Sequence, residues 1–130
     1  MDREKLPDII KEVGFDFDWG AERVWALKYP AEEMDIKELE WHFDIPFHWH
    51  AGEIYNLTSR EIIENPEKYK EEYERTMKSD LAYPIDIMMN KGRWLILDGL
   101  HRLMKAKILG MKSVRVRKIP RSEISNISKG

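Results

Sequence analysis

A mixed α+β fold, one small mixed β-sheet with helices packed outside it, is what the sequence predicts. Three observations carry that prediction. Residues 85–119 read as strand, tight turn, strand, helix and strand in unbroken succession. Residues 58–77 combine helix-start signals with an apolar stripe at helical spacing. The chain has 130 residues, 42% hydrophobic and 35% charged, which suits one modest core and a single domain over residues 1–130.

The elements follow in chain order. Leu6, Ile9, Ile10 and Val13 share one helical face, with Pro7 tolerated in a first turn and Gly14 suited to the end. Residues 15–19 alternate aromatic and acidic side chains and stop at Gly20, as a short edge strand or an extended arm. Residues 23–29 predict a strand closed by Pro30. Residues 31–40 predict a short helical turn or a strand-to-turn step. Residues 41–52, crowded with aromatics and histidines and broken by Pro46, predict an irregular loop. Thr58-Ser59-Arg60-Glu61 has the form of a capping box. Asn65-Pro66 predicts a fresh helix start, and Tyr69, Tyr73 and Met77 follow at i, i+4 and i+8 as a core-facing stripe. Residues 85–89 and 93–97 predict a hairpin around Asn90-Lys91-Gly92. Asp98 is placed to cap a helix from Gly99 to Gly110, and residues 113–119 alternate as a half-buried strand before Pro120.

Composition narrows the chemistry. There is no cysteine, which excludes disulfides, thiolate metal sites and cysteine nucleophiles. No window of 18 apolar residues occurs, and the charged start Met1-Asp2-Arg3-Glu4-Lys5 lacks the apolar stretch of a secretory signal. Both features point to the cytoplasm. The net charge of −2 hides an asymmetry: residues 91–130 carry eleven Lys/Arg against Asp98 and Glu123, so the first 90 residues are strongly acidic. A basic third implies an anionic partner, which is a nucleotide, a nucleic acid through residues 91–121, or the acidic part of the same chain.

The chemistry concentrates in Leu97-Asp98-Gly99-Leu100-His101-Arg102. An apolar strand delivers the chain to a helix start, whose first amides lack backbone acceptors and favour an anion. Gly99 removes the β-carbon where a phosphate would approach. Arg102 offers a planar fork for two phosphate oxygens, His101 donates as either tautomer or as the cation, and Lys105 extends the positive face by one turn. The plainer alternative is that Asp98 caps the helix and His101 and Arg102 are merely solvated.

The stretch from Leu95 to Gly110, followed by Val114-Arg115-Val116, resembles the hallmark of the ParB/sulfiredoxin superfamily over residues 84–119. Met34-Asp35-Ile36-Lys37-Glu38-Leu39 resembles the short element before that family's substrate loop. The resemblance implies a ParB/sulfiredoxin-like fold in which Asp98, Gly99, His101 and Arg102 hold nucleotide phosphates of an ATP, ADP or CTP type, with Mg²⁺ as a companion. Leu100 stands where sulfiredoxin needs a cysteine, which excludes sulfinic acid reduction. The partition proteins' double arginine is missing, and 130 residues leave no room for their helix-turn-helix domain. The Asp-Gly-x-His-Arg form is nearest to the free-serine kinase branch, which implies a small-molecule substrate and a carboxylate base, for which Asp44 and Glu38 are the counterparts. On that reading Asp98 ligates Mg²⁺ or orients the nucleophile and Asp44 accepts its proton. The family's nuclease label finds no metal-carboxylate cluster in this sequence. A nucleotide hydrolase and a non-enzymatic nucleotide-sensing or nucleic-acid-binding module are the other expectations.

Residues 41–50 raise two rivals. His42, His48 and His50, with Asp44 among them, have the donor types of a nitrogen and oxygen metal site. Trp41, Phe43, Phe47 and Trp49 are instead suited to stack a base.

Overall fold

The computed structural model describes residues 6–129, so the charged start over residues 1–5 lies outside the described residues. Its centre is the predicted hairpin, β4 (Ile85–Asn90) and β5 (Arg93–Asp98), paired antiparallel. Lys91 and Gly92 take φ values of 52° and 85°, the two left-handed residues that a tight hairpin turn needs. The chain then forms α5 (Leu100–Ile108), which carries it to β6 (Ser113–Lys118), parallel to β4. β1 (Glu32–Asp35) pairs antiparallel with β6, giving the order β1-β6-β4-β5. The result is an α+β fold with a small mixed sheet.

Both faces of the sheet are covered, which is why its central strands read as nearly continuous apolar runs. Ile85, Ile87, Ile96, Val114 and Val116 pack with Leu103, Met104 and Ala106 of α5. Met88, Leu95 and Leu97 face the other way, onto Phe15, Val24, Ile119 and Ile127. Leu109, just past the end of α5, is exposed.

The remaining elements wrap these two cores. α1 (Asp8–Val13) ends at Gly14, and residues 15–19 run as an arm in which Phe15, Phe17 and Trp19 lie 5.1–5.9 Å apart between ring centroids. Residues 23–29 are not a strand. They belong largely to α2 (Ala21–Trp25) and the turn after it, with Val24 fully buried and Leu27 packed on the same core. Val24 and Leu27 are three apart, so the short run fits the helical period as well as the strand period, and tertiary packing chose the helix.

β1 passes into a 3-10 turn over Ile36–Glu38, the strand-to-turn alternative. Residues 41–52 are more regular than an irregular loop. A 3-10 turn spans Glu40–Asp44, and β2 (His48–His50) pairs with β3 (Glu53–Leu57) around Ala51 and Gly52, both at positive φ. α3 (Ser59–Glu64) opens on the predicted capping box, complete in both directions between Thr58 and Glu61. α4 (Lys70–Met77) starts later than Asn65-Pro66 predicts, because Asn65 closes α3 instead, donating its side-chain amide to the Glu61 carbonyl at 2.9 Å. α6 (Ile124–Ile127) buries Ile127 beneath α2. Among the described residues no helix is long and apolar enough to cross a membrane.

Candidate functional site

The strand-to-helix step at the end of β5 opens onto a cavity of about 550 Å³. Asp98, Gly99, Leu100, His101 and Arg102 form one wall. The opposing walls come from the arm (Phe15 and Trp19), from α1 (Ile10), and from Phe47 and Tyr55 at the β2–β3 hairpin. That volume falls within the usual range for small-molecule sites, and the lining is mainly aromatic and aliphatic, with Asp18, Ser79 and Asp80 among its polar side chains beside Asp98, His101 and Arg102.

Gly99, not Asp98, occupies the cap position of α5. Its φ of 118° is a conformation that side chains rarely adopt, and an added Cβ would sit 3.0 Å from an Arg102 guanidinium nitrogen and 3.2 Å from Ile85 Cα. The space that glycine leaves is therefore taken by Arg102 folding back over the helix start. Asp98 is the last residue of β5 and makes no capping bond. Its Oδ2 instead accepts from Arg102 Nη2 at 2.9 Å and from Trp25 Nε1 at 2.7 Å. Both bonds fall on one oxygen, Oδ2. Directly across the hairpin from Asp98, Asp86 is buried and bound to Arg117 at 2.6 Å. Burial pushes the Asp86 carboxyl above the ordinary range, against the pull of Arg117.

His101 is half-buried, and its ring stands 5.5 Å from that of His48, edge to face. Its Nε2 is buried with no hydrogen-bond partner. Burial, and then the positive Arg75, hold its pKa below the ordinary histidine value, so it is a neutral imidazole at pH 7. Of the donor forms that the sequence allowed His101, two neutral tautomers and the cation, burial disfavours the cation. Lys105 does not line the cavity; its Nζ donates to the Ser79 carbonyl at 2.8 Å. Asp44 lies on the far side of the 3-10 turn, exposed and bound bidentately by Arg60, and does not line the cavity. Arg60 holds its carboxyl below the ordinary carboxylate range. Glu38 does not line the cavity either.

The three histidines of residues 41–50 go to separate partners. His42 is almost fully buried, donating Nδ1–H to the Leu39 carbonyl at 2.7 Å and accepting the Ile96 amide on Nε2 at 3.1 Å. Burial lowers its pKa to about 4. His48 shares a hydrogen bond with Ser59 Oγ at 2.8 Å, and burial, with His101 nearby, lowers it to about 4. His50 Nδ1 lies 2.7 Å from Glu72. Among the described residues no three His, Asp or Glu side chains converge to hold a metal ion. Of the four aromatics suited to stack a base, only Phe47 lines the cavity. Phe43 is core, Trp41 is covered by the Arg93 guanidinium at 3.6 Å, and Trp49 packs outside on Tyr55.

Sequence reasoning did not find Phe15, Trp19 and Tyr55 as cavity walls, nor Trp25 on Asp98. The alternating aromatics of residues 15–19 were a signal for an apolar face, but nothing local says where that arm docks. Comparison of the chain with protein-family models, with curated proteins and with solved structures returned no match.

Proposed function

We propose that this protein binds a nucleotide, with the phosphates at the start of α5 and the base between aromatic walls of the adjoining cavity. The observation that carries the reading is that a glycine-opened helix start bearing Arg102 and a cavity of about 550 Å³ are one continuous space. Amides of the first turn of α5 and the Arg102 fork supply donors for phosphate oxygens. Asp98, whose two side-chain bonds both fall on Oδ2, would hold Mg²⁺ through Oδ1, and neutral His101 supplies a donor or an acceptor, depending on tautomer. The resemblance of residues 84–119 to the ParB/sulfiredoxin superfamily points the same way. If the site turns its ligand over, phosphoryl transfer or hydrolysis is the class, with catalysis resting on positioning and charge neutralisation. Asp98, beside Asp18 and Asp80, is then among the carboxylates of the lining, while Asp44 is held elsewhere by Arg60.

The nucleic-acid alternative has less behind it. Arg117 is spent on Asp86, Lys118 on Glu32, Lys107 on Glu40, and Arg115 and Arg121 on the carbonyls of Ala82 and Met89. Three of these five cations answer acidic side chains of the first 90 residues.

The test is thermal stabilisation by ATP, ADP and CTP, with and without Mg²⁺, on the native protein and on Arg102→Ala. Saturating ligand at a hundred times Kd stabilises by about 2.7 kcal/mol, a shift of several degrees, which Arg102→Ala abolishes. A native protein that no nucleotide stabilises overturns the proposal.

A further inference from the structure

A second, smaller cavity of about 190 Å³ lies on the α5 side of the sheet, between α5, the start of β6 and the segment before β4. Its floor is apolar, for Ile85, Ala106 and Val114 are buried there. Leu81, Tyr83 and Met111 complete the apolar lining, and Tyr83 and Met111 stand 63% and 40% exposed at its rim. The charged groups of the lining are two guanidinium groups, Arg102 and Arg115, and one carboxylate, Glu33. Glu33 Oε2 accepts from the Ser113 hydroxyl at 2.8 Å, and among the described residues Glu33 forms no ion pair with either arginine. Arg115 gives one N–H to the Ala82 carbonyl at 3.1 Å, a neutral acceptor, so no carboxylate among the described residues answers its charge. Arg102 bonds Asp98 through Nη2. A guanidinium carries five N–H donors, so both arginines keep donors beyond these bonds.

An apolar hollow flanked by two planar cations suits a molecule that is hydrocarbon at one end and carboxylate at the other. The two carboxylate oxygens match two N–H groups of a guanidinium fork, and the hydrocarbon end leaves water for buried side chains. The volume is that of about six waters, which limits the hydrocarbon to a few carbons. We propose that this cavity binds a small apolar carboxylic acid, held as its anion by Arg115 and Arg102 with its tail on Ile85, Ala106 and Val114. The site stands apart from the nucleotide reading, since Arg115, Ala106 and Met111 do not line the larger cavity, although Arg102 and Tyr83 line both.

The test is a titration of the native protein with 4-methylpentanoate, with its neutral isostere 4-methylpentanamide, and with acetate, followed by NMR of the Val114 and Met111 methyl groups. The acid is expected to shift both residues and to bind at least about tenfold more tightly than the amide or acetate. Arg115→Gln keeps an amide donor for the Ala82 carbonyl and loses the charge. It is expected to weaken the acid by about tenfold while leaving the thermal melt and any stabilisation by nucleotide unchanged. An amide that binds as tightly as the acid overturns the proposal, because the cations then contribute nothing. Acetate binding as tightly overturns it too, because the apolar floor is then idle. So does an affinity that Arg115→Gln leaves intact, or Val114 and Met111 methyls that the acid does not move up to its solubility limit. None of these outcomes bears on the nucleotide site.

Discussion

His42 and His101 are both shielded imidazoles, and their surroundings give them opposite uses. His42 has each nitrogen matched to a backbone group, which fixes the Nδ1–H tautomer and makes it a structural bridge from Leu39 to the edge of β5. His101 faces a cavity with a buried nitrogen unmatched. The His42 pKa of about 4 in the fold against about 6.5 unfolded sets a sign for stability. Between those values the unfolded chain binds the proton and the fold does not, so the contribution is full above pH 6.5 and is lost as pH falls toward 4. It amounts to roughly 3 kcal/mol. Urea unfolding is expected to show stability dropping from pH 7 to pH 4.5, with the His42 imidazole still neutral by NMR at pH 5.5. A His42 that titrates near 6.5 in the folded protein would remove that account. The residue scale is also where the sequence was most legible at the site. Asp98, Gly99, His101 and Arg102 stand together on one cavity wall, because they are consecutive and the strand-to-helix step is local.

Elements formed where local chemistry and tertiary packing agreed. The Thr58 capping box is written in four consecutive residues and closes as written, Thr58 Oγ1 accepting the Glu61 amide at 3.1 Å and Glu61 Oε2 accepting the Thr58 amide at 2.9 Å. Thr58→Ala is expected to cost about 1 kcal/mol and lower Tm by a few degrees in a thermal melt. An unchanged Tm would mean that packing of Ile62 alone holds α3. The Lys91-Gly92 turn is equally local. By contrast, Asn65-Pro66 opens only a turn, the Asn65 carbonyl accepting the Tyr69 amide at 3.0 Å, while the Asn65 side chain closes α3. Residues 48–57 became a hairpin although the aromatic and histidine run hides the alternation. Its first strand is three residues long, too short for a period to register.

At the scale of the whole molecule, charge is used to join the two halves of the sequence. Arg117 on β6 binds Asp86 on β4 and donates to the Val24 and Leu27 carbonyls, tying α2 to the sheet. Asp86 is buried and Arg117 nearly so, which makes removal of one partner costly. Arg117→Met is expected to destabilise the protein by about 3–5 kcal/mol in denaturant unfolding, since it strands a buried carboxylate and two carbonyls. A loss under 1 kcal/mol would show that the pair and the α2 tether contribute little. The outer side of β5 is closed in a similar way, the Ile96 amide by His42 and the Leu97 carbonyl by Trp19. Side chains thus do at that edge what a further strand would do.

The sequence by itself determined the mixed α+β class, the β4–β5 hairpin, α5 with its glycine-opened start, and the grouping of Asp98, Gly99, His101 and Arg102. Each of these is encoded within a few residues, by turn geometry, by helical or strand period, or by adjacency. Tertiary structure alone decided that residues 23–29 are the end of a helix and the turn after it and not a strand, that Asp44 is committed to Arg60, and that Lys105 is spent on Ser79. It also decided that aromatics from residues 15–19 and from the β2–β3 hairpin wall one cavity with the start of α5. Those outcomes depend on contacts between segments far apart in the chain, and no local period or propensity carries the distance between them.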